Sequence, residues 1–163
     1  MALLTFDQQQ EIKPISANNA KRYTQIQAEA EEYYLNNLIG PVLLQKIQAT
    51  PENYTDLLNG SEFDYCGDTV RHKGLLYVLA FFTYSKYVTE IGVTDTFTGF
   101  VSKERNEASS ARDGELLRIS DTAKKMAYQA WELVNAFIKE KYTDTPPAKK
   151  IGVPWFEGVR RTK

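Results

Sequence analysis

The sequence predicts a mainly α protein, a small helical bundle with long first, central and last helices. Three observations carry this. Apolar residues recur at three- and four-residue steps over three long stretches, which makes the stripe of a packed helix. Gly and Pro stand between the stretches as punctuation. Only residues 93–103 interleave β-branched and aromatic residues with polar ones, as a strand or hairpin would.

Residues 1–19 are polar and lack periodicity, and read as an extended N-terminal arm with one helical turn. Asn18 or Asn19 is suited to cap the first long helix, since its side chain accepts from the free amides of a first turn. That helix is expected over residues 20–39. Tyr23, Ile26, Ala30, Tyr33 or Tyr34, and Leu38 would face the core, with Glu29, Glu31 and Glu32 opposite. Gly40-Pro41 ends it and opens a second helix through Ala49, with Val42, Leu43, Leu44 and Ile47 apolar. Thr50-Pro51-Glu52 reads as cap, opener and acidic first turn of a short third helix. Asn59-Gly60 closes it, with Tyr54, Leu57 and Leu58 inward.

Residues 61–72 predict a short hairpin or loop, with Cys66-Gly67-Asp68 as its turn. Residues 73–91 are apolar on nearly every side, the mark of a central helix. Residues 103–114 are charged, rich in Ser and Ala and without an apolar face, and so are expected to form a mobile loop. The last helix is expected over residues 115–141, on a stripe that includes Leu116, Ile119, Ala123, Met126, Val134 and Phe137. Pro146-Pro147 stops helical structure beyond it. The chain thus divides into an arm (1–19), a helical domain (20–142) and a basic, aromatic C-terminal tail (143–163).

Composition narrows the function. Of 163 residues, 42% are hydrophobic and 25% charged, too apolar for wholesale disorder and too polar for a membrane protein. The N-terminal residues lack the basic region of a secretory signal, and the longest apolar run, 74–82, is about half of the ~20 residues a bilayer span needs. Lys and Arg number 20 against 21 Asp and Glu, so no global field draws nucleic acid or anionic lipid. The balance is nonetheless uneven. Residues 148–163 carry Lys149, Lys150, Arg160, Arg161 and Lys163 against Glu157, a local charge of +4, which leaves −5 on the first 147 residues.

One Cys and one His exclude a disulfide framework and a conventional zinc site within one chain. Cys66 and His72, six positions apart across a turn, could form a nucleophile–base pair. The plainer reading is a half-buried thiol and a surface imidazole. Glu29 with Glu32, or Asp64 with Asp68, has spacing suited to a metal or acid/base pair, yet acidic helix faces are usually solvated. Di-iron bundles also need Glu-x-x-His pairs, which one His cannot supply. No Gly-rich run leads into Lys-Ser or Lys-Thr, so a phosphate loop is absent. Lys124-Lys125 lies among acidic neighbours and is expected to face solvent. No catalytic residue, cofactor or metal is expected, and the chain does not read as an enzyme. Trp155 and Phe156 differ from the other aromatics: they follow a Pro-Pro break in a segment too short to bury them, and such side chains dock on something.

Three segments together resemble a known family. They are Glu29-Ala30-Glu31-Glu32-Tyr33-Tyr34-Leu35 leading into Asn37-Leu38-Ile39-Gly40, the aromatic helix from Gly74 to Tyr87, and Thr98-Gly99-Phe100-Val101-Ser102-Lys103 before a polar stretch and a long helix. Over residues 20–140 their order and texture are similar to the small helical head–tail connector (adaptor) proteins of tailed bacteriophages, of the kind found in phages and prophages of Bacteroides-type bacteria. The tail after Tyr142 has no counterpart in that pattern. The resemblance implies a structural virion protein in the neck between head and tail, assembled in the host cytoplasm. It implies a ring, commonly of roughly twelve subunits, beneath the portal protein. Its partners would be the portal, neighbouring copies, and tail or second adaptor proteins. DNA would pass through the channel without sequence-specific binding, and no membrane is involved. Interface residues would then lie in the tail (Lys149, Lys150, Trp155, Phe156, Arg160, Arg161) and in the β-like excursion (Phe97, Phe100). The other reading is a small helical phage-encoded regulatory or host-interaction module, acting as a monomer or dimer.

Overall fold

Glycine and proline set most of the helix boundaries in the computed structural model, which describes residues 2–15, 20–91, 93–96, 99–102 and 109–142. The helices are α1 (Phe6–Ile12), α2 (Ala20–Ala30), α3 (Asn36–Ile39), α4 (Pro41–Ala49), α5 (Thr55–Asn59), α6 (Leu75–Ile91) and α7 (Ser109–Lys141). A π-helical turn, Glu31–Leu35, joins α2 to α3, and a 3-10 turn, Pro51–Tyr54, precedes α5. Two antiparallel hairpins complete the fold: β1 (Glu62–Tyr65) with β2 (Asp68–Arg71), and β3 (Val93–Thr96) with β4 (Gly99–Ser102). The protein is mainly helical, as its sequence predicts, and the excursion after α6 is a hairpin. The stretch 61–72, left open between hairpin and loop, is a hairpin too. The asparagine cap proposed at Asn18 or Asn19 lies outside the described residues.

The π turn changes which side of the first rod faces inward. A regular helix would bring Tyr33 or Tyr34 and Leu38 to the core. The wider π turn inserts one residue per turn and rotates everything after it. Leu35 and Ile39 are therefore buried, Tyr34 and Leu38 are only partly covered, and Tyr33 is 65% exposed. Glu31, expected beside Glu29 and Glu32 on the outer face, is buried, because at the start of the π turn it still follows the α spacing of buried Tyr23 and Gln27. Gly40 ends the rod at φ +80°, a left-handed conformation that side chains resist, and Pro41 opens α4. Thr50 does not cap the next helix. Its hydroxyl donates back to the Lys46 carbonyl at 3.2 Å, and Pro51 opens a 3-10 turn instead of an α turn.

The β1–β2 hairpin is pinned at its base by close backbone contact. A Cβ on Gly74 would stand 2.3 Å from the Leu58 carbonyl oxygen, and one on Gly60 would stand 2.3 Å from the His72 carbonyl oxygen. Both positions also have positive φ, so no other residue fits easily.

α6 is the central helix and lies antiparallel to α7: Ser85 meets Ser120, Phe82 meets Tyr128, and His72, just before α6, meets Phe137. Small residues Ala123 and Ala127 on α7 let the helices approach, and Leu79 and Phe82 fill the space from α6. α7 begins at Ser109, six residues before the expected start, so the latter part of the supposed loop is helix. Its 33 residues run about 50 Å and overreach the 17 residues of α6.

The N-terminal segment holds two turns of helix where one was expected. Thr5 and Gln8 form a reciprocal capping box at its start. Leu4 is buried in the main core, and Gln9 donates its amide to the Ala80 carbonyl of α6 at 3.3 Å. A second small cluster, Ile15, Tyr23, Ile26 and Tyr87, ties this segment to α2 and α6.

Candidate interaction surface

The residues named for chemistry are placed apart. Cys66 sits at the tip of the β1–β2 hairpin, exposed, at φ +58° in the two-residue turn with Gly67. His72 sits at the base and is fully buried. The expected half-buried thiol and surface imidazole are thus reversed, because the hairpin register carries the turn outward and its base into the core. Four strand residues at about 3.3 Å each separate the two side chains, too far for a nucleophile–base pair.

His72 is a structural pin. Its Nδ1 accepts from the Gly74 amide at 3.2 Å, and its Nε2 lies 3.3 Å from the Ser61 amide, which donates to it, and 3.2 Å from Ser61 Oγ. The ring lies against Phe63 and Phe137. Burial pushes its pKa down; Asp56 opposes this and Lys141 adds to it, both by charge.

The acidic pairs do not converge. Glu29 is held by Lys86, which also meets Glu90 at 3.2 Å, while Glu32 is exposed. Asp64 and Asp68 lie exposed on the hairpin, where Asp64 Oδ1 accepts from the turn amide of Gly67. Among the described residues, no three His, Cys, Asp or Glu side chains are grouped to hold a metal. Lys124 and Lys125 border solvent as expected, Lys124 about 3.9 Å from Asp121.

Sequence reasoning missed Glu31. It is 4% exposed and accepts from the Leu3 amide at 3.1 Å and the Gln48 side chain at 2.7 Å. It stands at the inner wall of a cleft of about 450 Å³ with Glu32, Asn36, Gln45 and Gln48. Both carboxylate oxygens are thereby occupied, and the residue ties the N-terminal segment to α4. Its spacing from Tyr23 and Gln27, eight and four positions earlier, is the helical signal that could have found it.

Apolar surface is the more distinctive feature. Ile119 and Met126, expected on the inner stripe of α7, are 37% and 42% exposed, and Leu117 is 58% exposed. They lie on the flanks of the buried stripe, since the N-terminal half of α7 has α6 on one side only. Tyr128 and Tyr33 add half-exposed rings beside them, Tyr128 edge-on to Phe82 at 5.1 Å. A second groove, of about 410 Å³, runs between β1 and the C-terminal end of α7.

Of the expected interface residues, Phe97, Lys149, Lys150, Trp155, Phe156, Arg160 and Arg161 lie outside the described residues. Phe100 belongs to β4 by its backbone, opposite Asp95, and its side chain lies outside them too. No helix among the described residues is long and apolar enough to cross a membrane.

Residues 35–152 match a family of unknown function, DUF6712, and the chain belongs to that family. No curated protein and no solved structure matches it.

Proposed function

We propose that this member of DUF6712 is a head–tail connector subunit of a tailed bacteriophage, a structural virion protein that forms a ring between portal and tail. The observation that carries the reading is the apolar surface left open on α7, with Ile119 and Met126 on one flank of its buried stripe and Leu117 on the other. A ring subunit needs lateral faces that meet their neighbours without exposing apolar side chains to water. The order of segments over residues 20–140, which resembles such connectors, supports the same reading. So does the charge layout, −5 on the body and +4 on residues 148–163. An acidic body lets DNA pass without sticking, and a basic segment suits an acidic portal or neighbour. The protein then works by contact in the virion neck, and no catalytic step is assigned to it.

Negative-stain imaging of the purified full chain, alone and mixed with a portal protein from the same genome, tests this. Annular particles with an open centre are expected in at least one of the two samples. Single small particles in both, at every concentration, would overturn the reading.

A further inference from the structure

We propose that the groove between β1 and α7 seats the basic C-terminal segment of a second copy of this chain, which adds to β1 as a third strand. The proposal rests on the ring reading and names one of its contacts. Three observations converge on it.

The first is an open strand edge. Among the described residues β1 pairs with β2 alone, in the register Glu62 to Arg71 and Tyr65 to Asp68. A two-residue turn makes Tyr65–Asp68 and then Phe63–Val70 the hydrogen-bonded pairs. The His72 amide donating to the Ser61 carbonyl at 3.1 Å continues that alternation. Glu62 and Asp64 therefore turn their backbone N–H and C=O groups to the outer edge, a ready template for an added strand. Asp64 lines the groove.

The second is charge. The groove wall carries Asp64 from β1 and Glu132 and Glu140 from α7, against Lys139. Glu132 and Glu140 are exposed and make no ion pair among the described residues, whereas Asp56 on the neighbouring α5 has Lys141 at 3.2 Å. The most basic stretch of the whole chain is residues 148–163, at +4. Half-exposed Tyr65 at the rim offers an aromatic contact as well.

The third is geometry of reach. α7 ends at Lys141, directly after the groove residues Lys139 and Glu140. Lys149 and Lys150 follow eight and nine positions later, with Pro146-Pro147 between, and a Pro-Pro pair favours extended chain. Extended chain covers roughly 3.3 Å per residue, so a stretch of this length has the reach to meet the groove of an adjacent copy. The groove of an adjacent copy is the acceptor that requires no reversal.

The test is a charge exchange in the full chain, read by sedimentation velocity at low salt with circular dichroism as the check on folding. Glu132→Lys with Glu140→Lys, and separately Lys149→Glu with Lys150→Glu, should each weaken self-association at least about tenfold. All four substitutions together should return it to within about threefold of wild type. Assembly unchanged by either reversal, with the wild type assembled, overturns the groove contact and leaves the ring reading intact. A fourfold variant that stays dissociated also overturns it, by placing the partner of these charges elsewhere. A wild type of single-chain mass throughout overturns the groove contact as well, while the ring reading is decided by the imaging with the portal protein.

Discussion

The two halves of α7 meet different surroundings. From Ala127 to Ile138 the helix is enclosed by α6, α5 and the base of the β1–β2 hairpin, and Ala127, Val134 and Phe137 are fully buried. From Leu117 to Met126 it has α6 on one side, where Ser120 and Ala123 are covered, and solvent on the flanks, where Leu117, Ile119 and Met126 are not. One helix thus completes a core at one end and presents apolar surface at the other. Substitutions in the first half should act on folding, and those in the second on association.

The largest effect is expected at Phe137, which touches Phe63 at 5.5 Å and His72 at 4.3 Å between ring centres. Phe137→Ala should cost about 3–5 kcal/mol in urea denaturation, from lost transfer energy and the cavity left behind. His72→Ala comes next, at about 2–3 kcal/mol, because the Gly74 amide loses its acceptor inside the core. Little change in either would mean that the enclosed half is not the folding core.

His72 also predicts a pH dependence. Its pKa is lowered in the folded state, so folding favours the neutral ring. That contribution is complete above the unfolded pKa of about 6.5 and is lost as pH falls through the folded value. Protonation at Nδ1 would also set two N–H donors against each other at Gly74. The denaturation midpoint should fall between pH 7.5 and 5.5 in the wild type and stay flatter in His72→Ala. Parallel slopes in the two proteins would remove the assignment.

A smaller effect is expected at Tyr23, whose buried hydroxyl has no hydrogen-bond partner among the described residues and whose pKa burial pushes far up. Tyr23→Phe keeps the ring contact with Phe6 and removes an unmatched polar group, so stability should hold or rise by up to about 1 kcal/mol. A loss above that in thermal unfolding would show that the hydroxyl is bonded.

The boundaries of these elements were legible because Gly40, Pro41, Pro51, Gly60 and Gly74 act locally: each restricts its own φ or removes its own donor. What was not legible depends on partners distant in sequence. The π turn breaks the 3.6-residue period on which a stripe is read, so Leu35 and Ile39 are buried where Tyr33 or Tyr34 and Leu38 were expected. The exposure of Cys66 and the burial of His72 follow from a hairpin register that two alternating aromatics do not determine. Ile119 and Met126 satisfy the apolar spacing of a core helix, and only the absence of a helix packed on their flank leaves them open. One His, one Cys and an uneven charge carry the expectation of contact in place of catalysis, which is the reading proposed above. The surface that would make such contact needed the fold.

The most direct test of the account pairs Ile119→Ser with Met126→Ser in one chain and measures mass by light scattering over a concentration series. Both side chains are partly exposed, so stability should change by less than about 1 kcal/mol. The wild type is expected at a multiple of the single-chain mass and the variant at the single-chain mass, with matching circular dichroism. Equal masses for the two proteins would contradict the claim that the open half of α7 is an assembly surface.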